Sequence, residues 1–235
     1  MPLLRLDRIM ASSGLFTRSV AAALIRRGSV CVNGQAAKNA ADKCDTETDR
    51  ISVDGVILEY RKFRYIVMNK PIGYVSSTAD RDGKTVLELL DAKYKKIGLF
   101  PAGRLDKDAE GLLLLTNDGK LAHEITSPSK QVYKRYFVQI EGCISEADVA
   151  AFSEGLVLRD GTRCRPAFLE SAPDGAIITL HEGKYHQVKR MMSAVGKPVK
   201  YLKRLSIGGL SLNENMKPGE YCEISDEISV IFGDK

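Results

Sequence analysis

An arginine and an aspartate two residues apart, in Gly103-Arg104-Leu105-Asp106, stand a few residues upstream of the apolar run Leu112-Leu113-Leu114-Leu115. Bounded by Gly111 and by Asn117-Asp118-Gly119, that run reads as a short strand covered on both faces. Asp106 therefore belongs to a loop that leads into the core. A carboxylate so placed, beside a guanidinium, can be partly desolvated, ion-paired and aimed at a reacting atom. The same spacing also suits a structural Arg–Asp pair that ties a loop down, and other residues must decide between the two. Basic residues adjoin apolar ones in Gln187-Val188-Lys189-Arg190-Met191-Met192. Cations on a core-facing helix need a negative partner, and Asp106 is the candidate. Spacing does not settle whether Lys189 or Arg190 reaches inward. His186 is expected to be a satisfied structural histidine.

The elements that must position these groups follow from periodicity and turn chemistry. Leu6, Ile9 and Met10 recur at helical spacing up to Gly14, and Val20, Ala21, Leu24 and Ile25 form a second stripe between a Thr17 cap and Gly28. Short strands turn at Asn33-Gly34 and Asp54-Gly55, with residues 58–62 as a linker. Beyond it, 65–68 reads as a strand, 69–73 as a loop, 86–90 and 121–125 as helices. Residues 134–140 alternate polar and apolar, with Tyr136, Val138 and Ile140 on one face. Ser145 and Asp148 cap a helix that Gly155 ends. Strands are expected at 156–158, 163–169 and 176–180, and a helix at 187–194. The implied class is α+β: a small head over residues 1–60, then residues 61–235 built on a largely antiparallel mixed sheet flanked by helices.

The 235 residues carry a formal charge of only +5, but unevenly. Residues 1–38 hold six basic side chains against Asp7, residues 181–205 seven against Glu182, and from 206 onward six acids face two lysines. Two basic regions point to a polyanion contacted at two places. The five scattered cysteines suggest a reducing compartment rather than a disulfide framework or a zinc site. No apolar run approaches the ~20 residues of a membrane span. A cytoplasmic protein is expected.

The head resembles an S4 domain, a small RNA-binding fold, through Arg5-Leu6-Asp7, Thr17-Arg18-Ser19 and Ile25-Arg26-Arg27-Gly28-Ser29-Val30. That resemblance implies that Arg5, Arg8, Arg18 and Arg26 touch RNA phosphates. Arg18 and Arg26 fall about 80° apart around a helix, so a shared face is possible. Over nearly its whole length the chain resembles the RsuA-type pseudouridine synthases. The carriers are Asn69-Lys70-Pro71-Ile72-Gly73-Tyr74-Val75-Ser76, the 103–119 stretch, Lys134-Arg135-Tyr136-Phe137-Val138 and Glu182-Gly183-Lys184-Tyr185-His186-Gln187-Val188-Lys189-Arg190-Met191.

The resemblance implies a catalytic Asp106, Tyr136 packed on the target base, Lys189 as the basic partner of Asp106, and Arg104 holding the base out of its helix. Arg190 is a further candidate for RNA contact. The substrate implied is ribosomal RNA, with Tyr185-His186 closer to the branch acting on 16S small-subunit rRNA. The alternatives are the same reaction on 23S large-subunit rRNA, or a non-catalytic S4-type RNA-binding protein. Isomerising uridine involves no net oxidation, phosphate transfer or hydrolysis, so no cofactor or metal is expected, and a monomer is the simplest state. The target nucleotide must leave its stack, at a few kcal/mol. Strand 112–115 and Met191 are the expected apolar walls, and Lys189 is expected to keep Asp106 ionised.

Overall fold

The computed structural model describes residues 3–79 and 83–232. Of the acidic C-terminal stretch, Asp234 and Lys235 lie outside the described residues. Contacts divide the chain into two compact units, Met1–Phe63 with Leu90–Leu99, and Arg64–Leu89 with Phe100–Lys235.

The first unit contains β1 (Leu3–Arg5), α1 (Leu6–Ser12), α2 (Arg18–Arg26), β2 (Val30–Val32), β3 (Gln35–Ala36), β4 (Lys43–Asp45), β5 (Ile51–Val53) and β6 (Val56–Leu58). Leu6, Ile9 and Met10 of α1 and Ala21 and Ile25 of α2 meet Val30, Ile51 and Val53 in one core. Thr17 caps α2 by accepting the Val20 N–H at 3.2 Å. The strands run β3-β2-β5-β6, all antiparallel, and β1 pairs with β4. Asn33-Gly34 and Asp54-Gly55 supply the two positive φ values that a tight two-residue hairpin turn needs. Gly14 meets two demands. Its φ is +76°, and a Cβ there would lie 2.1 Å from the carbonyl oxygen of Lys93, in the short helix α3 (Ala92–Lys95). Residues 58–62 are not a free linker: Leu58 and Tyr60 pack against the head core.

The second unit contains β7 (Tyr65–Lys70), β8 (Phe100–Pro101), β9 (Glu110–Thr116), α4 (Gly119–Thr126), β10 (Lys134–Gln139), α5 (Glu146–Glu154), β11 (Phe168–Ala172), β12 (Gly175–Leu180), α6 (Gln187–Ala194), β13 (Tyr201–Ile207), β14 (Leu210–Ser211) and β15 (Tyr221–Ile224). Among the described residues its nine strands form one sheet in the order β11-β12-β10-β13-β9-β7-β15, with β8 beside β9 and β14 beside β13. The β9–β13 pair is parallel and the other ladders are antiparallel. This is the expected α+β class with a largely antiparallel mixed sheet. Leu112, Leu113, Leu114 and Leu115 are completely buried, as an unbroken apolar run in a strand covered on both faces requires.

Several boundaries differ from the sequence reading for physical reasons. Helix α4 begins at Gly119, because the Asp118 carboxylate accepts the N–H groups of Lys120 and Leu121, both at 3.1 Å. Residues 156–158 and 163–167 form no strand beyond one bridge between Val157 and Arg163; Pro166 has no N–H to give a ladder, and pairing resumes at Phe168. Strand β13, the middle strand of that order, was not foreseen: Arg204 interrupts its apolar pattern. Helix α5 has the expected capping box from Ser145 and Asp148. No described helix is long and apolar enough to cross a membrane.

Candidate active site

Asp106 lies on the loop between β8 and β9, and that loop is gripped on both sides by its backbone. The Ser76 hydroxyl donates to the Leu105 carbonyl at 3.0 Å and accepts the Leu105 N–H at 3.1 Å. The Gly73 N–H donates to the Lys107 carbonyl at 2.7 Å, and the Ala109 N–H closes onto the Asp106 carbonyl at 3.1 Å. Lys70, completely buried at the end of β7, donates to the carbonyls of Ala109 at 2.7 Å, Pro71 at 3.0 Å and Lys107 at 3.4 Å. Burial pushes its ammonium pKa down to about 8, and attraction to Asp106 and Asp108 works the other way. A fixed backbone limits where the Asp106 carboxylate can go, which is the condition for aiming it at one atom.

Helix α6 brings cations to that carboxylate. Glu182, 4% exposed, accepts the Arg165 N–H at 2.9 Å and the Gln187 Nε2 at 2.5 Å, and pairs with Lys184 at 3.0 Å. Burial pushes the Glu182 carboxyl up, but these hydrogen bonds together outweigh it and hold the pKa below the usual value. The Gln187 Oε1 in turn accepts the Lys184 N–H at 2.8 Å. The turn so braced ends at His186, in the left-handed region at φ +47°, and α6 starts there.

His186 and Lys189, three apart, share a helix face. The His186 Nε2 is 3.7 Å from Asp106 Oδ1, and the Lys189 Nζ is 3.5 Å from Asp106 Oδ2 and 2.5 Å from Asp108 Oδ1. The hydrogen bond from Lys189 holds the Asp108 carboxyl below its ordinary range. Arg190 points elsewhere, its Nη2 2.5 Å from Asp160 Oδ2 and its Nη1 donating to the Tyr185 carbonyl at 3.3 Å.

Two sequence readings change here. His186, expected to be a satisfied structural histidine, stands at the site instead: its side chain is 39% exposed, lies 3.7 Å from Asp106 and stacks on the Tyr185 ring at 3.9 Å. Arg104 forms no ion pair with Asp106 among the described residues; it is exposed at the rim. The Asp106 side chain keeps 25% of its exposure, so the site is a partly open cleft.

Beside Asp106 is a cavity of about 620 Å³, in the size range of small-ligand pockets. Arg104, Leu105, Asp106 and Lys107 form one side, and Tyr136, 8% exposed on β10, another. The apolar walls are Ile125, Leu180, Val188, Leu202 and Ile207; Leu112 to Leu115 and Met191 lie behind them in the core, contrary to expectation. Two buried cations also line the cavity, Lys134 at 7% exposure and Arg204 at 3%.

Both cations are placed by register. Tyr136 is the cross-strand partner of Arg204, and Lys134 of Ile207. Strict alternation along β13 would send Arg204 and Ile207 to opposite faces. The register shift at Arg135/Tyr136 leaves Leu205 as an extra residue in β13, and this bulge returns Ile207 to the cavity. Lys70 and Lys134 stand in motifs that carry the family resemblance, but none of Lys70, Lys134 and Arg204 was given a role, because a lone lysine or arginine carries no local mark of what it faces.

Among the described residues no group of three His, Cys, Asp or Glu side chains could hold a metal ion. In the first unit, Arg5 forks onto Asp7 at 2.9 and 3.1 Å, and its hydrogen bond holds the Asp7 carboxyl below the usual range. Arg8, Arg18 and Arg26 are exposed. The arrangement as a whole offers an oriented carboxylate braced by cations, a ring to pack on a planar ligand, and exposed basic groups for a polyanion.

Comparison with known proteins agrees with that chemistry. The family described as RNA pseudouridylate synthase matches residues 64–194, and the S4 domain family matches residues 4–57. The uncharacterized RNA pseudouridine synthase YtzG of Bacillus subtilis (strain 168) is 43% identical over 229 residues, covering 95% of this chain and 96% of its own. Ribosomal small subunit pseudouridine synthase A of Escherichia coli (strain K12) is 40% identical over 229 residues, covering 95% and 97%. A crystal structure of a pseudouridylate synthase, 38% identical, superposes with a TM-score of 0.67 over 97% of this chain and 99% of that one. With a pseudouridylate synthase match across more than half its length and an S4 domain ahead of it, the chain belongs to the RNA pseudouridylate synthase family, whose reaction is the isomerisation of uridine to pseudouridine in RNA.

Proposed function

We propose that the substrate is small-subunit ribosomal RNA and that Asp106 is the catalytic carboxylate. The observation that carries this reading is the Asp106 carboxylate, with Lys189 and His186 against it, at the side of a cavity roomy enough for an extruded nucleotide that Tyr136 also lines. The choice of RNA is supported by relatives named for the small ribosomal subunit, 40% and 42% identical in Escherichia coli and Salmonella typhimurium. In this reading residues 1–60 bind RNA through Arg5, Arg8, Arg18 and Arg26, and residues 61–235 hold the reaction. The protein acts as a cytoplasmic monomer.

The reaction breaks the bond from the ribose C1′ to N1 of uracil, with the electron pair leaving on the base. The base turns over, C5 bonds to C1′, the C5 proton departs and N1 gains one, so atoms and charge balance. An ionised Asp106 serves whether it attacks C1′ or stabilises positive charge there. Lys189 orients it, Tyr136 packs on the base, and Arg104 at the rim takes the place the base vacates in its helix. Arg190 supplies a further RNA contact beside Tyr185. The apolar walls limit water around the detached base, which would otherwise leave an abasic sugar. Pseudouridine mapping of both ribosomal RNAs from cells lacking the protein should show one site lost from the small subunit; loss from the large subunit alone would overturn the assignment.

A further inference from the structure

The buried Arg204 carries a donor with no acceptor. Its Nε donates to the Leu112 carbonyl at 2.7 Å and its Nη1 to the Arg104 carbonyl at 3.4 Å, while Nη2 is buried and has no partner among the described residues. Lys134, also buried at the cavity, spends its ammonium on one acceptor, the Ile125 carbonyl at 2.8 Å. Neither cation has a carboxylate within ion-pairing distance among the described residues. Two uncompensated cations in one buried wall are expensive to keep unless a ligand brings negative charge to them. Burial first, and the nearness of Arg204 second, push the Lys134 pKa down to about 8.

Resting on the function proposed above, we propose that Arg204 and Lys134 seat the oxygen-bearing edge of the extruded uracil and carry the negative charge the base acquires when its bond to C1′ breaks. The charge that leaves with N1 spreads onto O2 and O4, and donors preorganised where charge develops act strongly in a dry site. No proton is transferred to or from either cation; they stabilise the anion until C5 bonds to C1′ and the charge is cancelled. The register explains why the base and not a phosphate is the match. Arg204 faces Tyr136 across the ladder, next to the ring proposed to pack on the base, and both cations are buried. A phosphodiester stays with the RNA strand, where exposed Arg104 and Lys107 are available.

The test is single-turnover conversion of a small-subunit rRNA fragment carrying uridine, 2-thiouridine or 4-thiouridine at the modified position, by wild type, Lys134→Met and Arg204→Lys. Sulphur is a poorer hydrogen-bond acceptor, and its effect on the leaving group is common to all three proteins and cancels between them. Each variant is expected to lose roughly 10²-fold in rate on uridine with RNA affinity kept within about threefold. The sulphur effect at O2 or O4 should differ from that in wild type by about tenfold in at least one variant. Arg204→Lys keeps a cation in the wall and so reports even if Lys134→Met melts early. Sulphur effects equal in all three proteins, or losses confined to RNA affinity with a shallower salt slope, as a phosphate site would give, would overturn the assignment. Wild type unable to convert the uridine fragment would instead remove the underlying reading.

Discussion

Gly111→Ala should damage fold and site together. Gly111 sits in β9 at φ +113°, and a Cβ there would lie 2.3 Å from the Arg204 carbonyl oxygen and 2.6 Å from its amide nitrogen. An L-residue in that backbone region costs about 1–2 kcal/mol. The contact is with backbone on the parallel partner strand, Arg204 being the register partner of Gly111. No rotamer relieves it, so β9 and β13 must separate, at a further ~1–3 kcal/mol. The sum, roughly 2–5 kcal/mol, lowers the melting temperature by about 4–20 °C at ~2–4 °C per kcal/mol. Separation also moves Arg204 away from Asp106's loop, and a shift near 1 Å at a positioned group costs on the order of 10² in rate. The comparison is Gly142→Ala, where φ is +79° but, among the described residues beyond its chain neighbours, no atom lies within 4 Å of the added Cβ. That variant should carry the backbone cost alone and keep its activity. Thermal unfolding followed by circular dichroism, with single-turnover pseudouridine formation on the same preparations, measures both. Equal melting temperatures for the two variants, with Gly111→Ala at wild-type rate, would refute the reasoning.

Lys189→Met removes the cation that bridges Asp106 and Asp108; single-turnover rate should fall by about 10²-fold while RNA affinity stays near wild type, and an unchanged rate would count against the pair. Replacing Arg8, Arg18 and Arg26 by alanine should reduce the slope of log affinity against log salt by about 2–3, at ~0.7–0.9 per phosphate contact. A filter-binding series between low and physiological salt reads this, and an unchanged slope would mark those arginines as solvated surface. Burial pushes the Lys134 ammonium down to about 8 in the folded chain, against about 10.4 unfolded. Between those values the unfolded state binds more protons, so raising the pH from 8 to 10 should stabilise wild type relative to Lys134→Met by ~2–3 kcal/mol. Urea unfolding of both proteins across that range checks the sign, and a constant difference would contradict it.

What the sequence revealed divides along physical lines. Features set by neighbours in the chain were readable: the Ser145 and Asp148 capping box, the Asn33-Gly34 and Asp54-Gly55 turns, the buried 112–115 run. Asp106 stood out by its local chemistry, whereas Tyr136 and the preference for Lys189 over Arg190 came from the family resemblance; Lys189 is the side chain that reaches Asp106. Features set by distant partners were hidden. Lys70 looked like part of a turn because the carbonyls that hold it belong to residues mostly nearly forty positions later. Arg204 made β13 look like basic surface, though its strand lies between β10 and β9. The bulge at Leu205 has no sequence mark, yet it decides which side chains line the cavity. His186 was misjudged because its exposure depends on a left-handed turn braced by the buried Glu182.

The central claim, that the Asp106 carboxylate is what isomerises the uridine, is tested most directly by single-turnover assay of Asp106→Asn on small-subunit rRNA beside wild type. The substitution keeps the shape of the side chain and removes its charge. The expected result is RNA binding within about threefold of wild type and no detectable pseudouridine. Pseudouridine formed by Asp106→Asn at the wild-type rate would contradict the assignment.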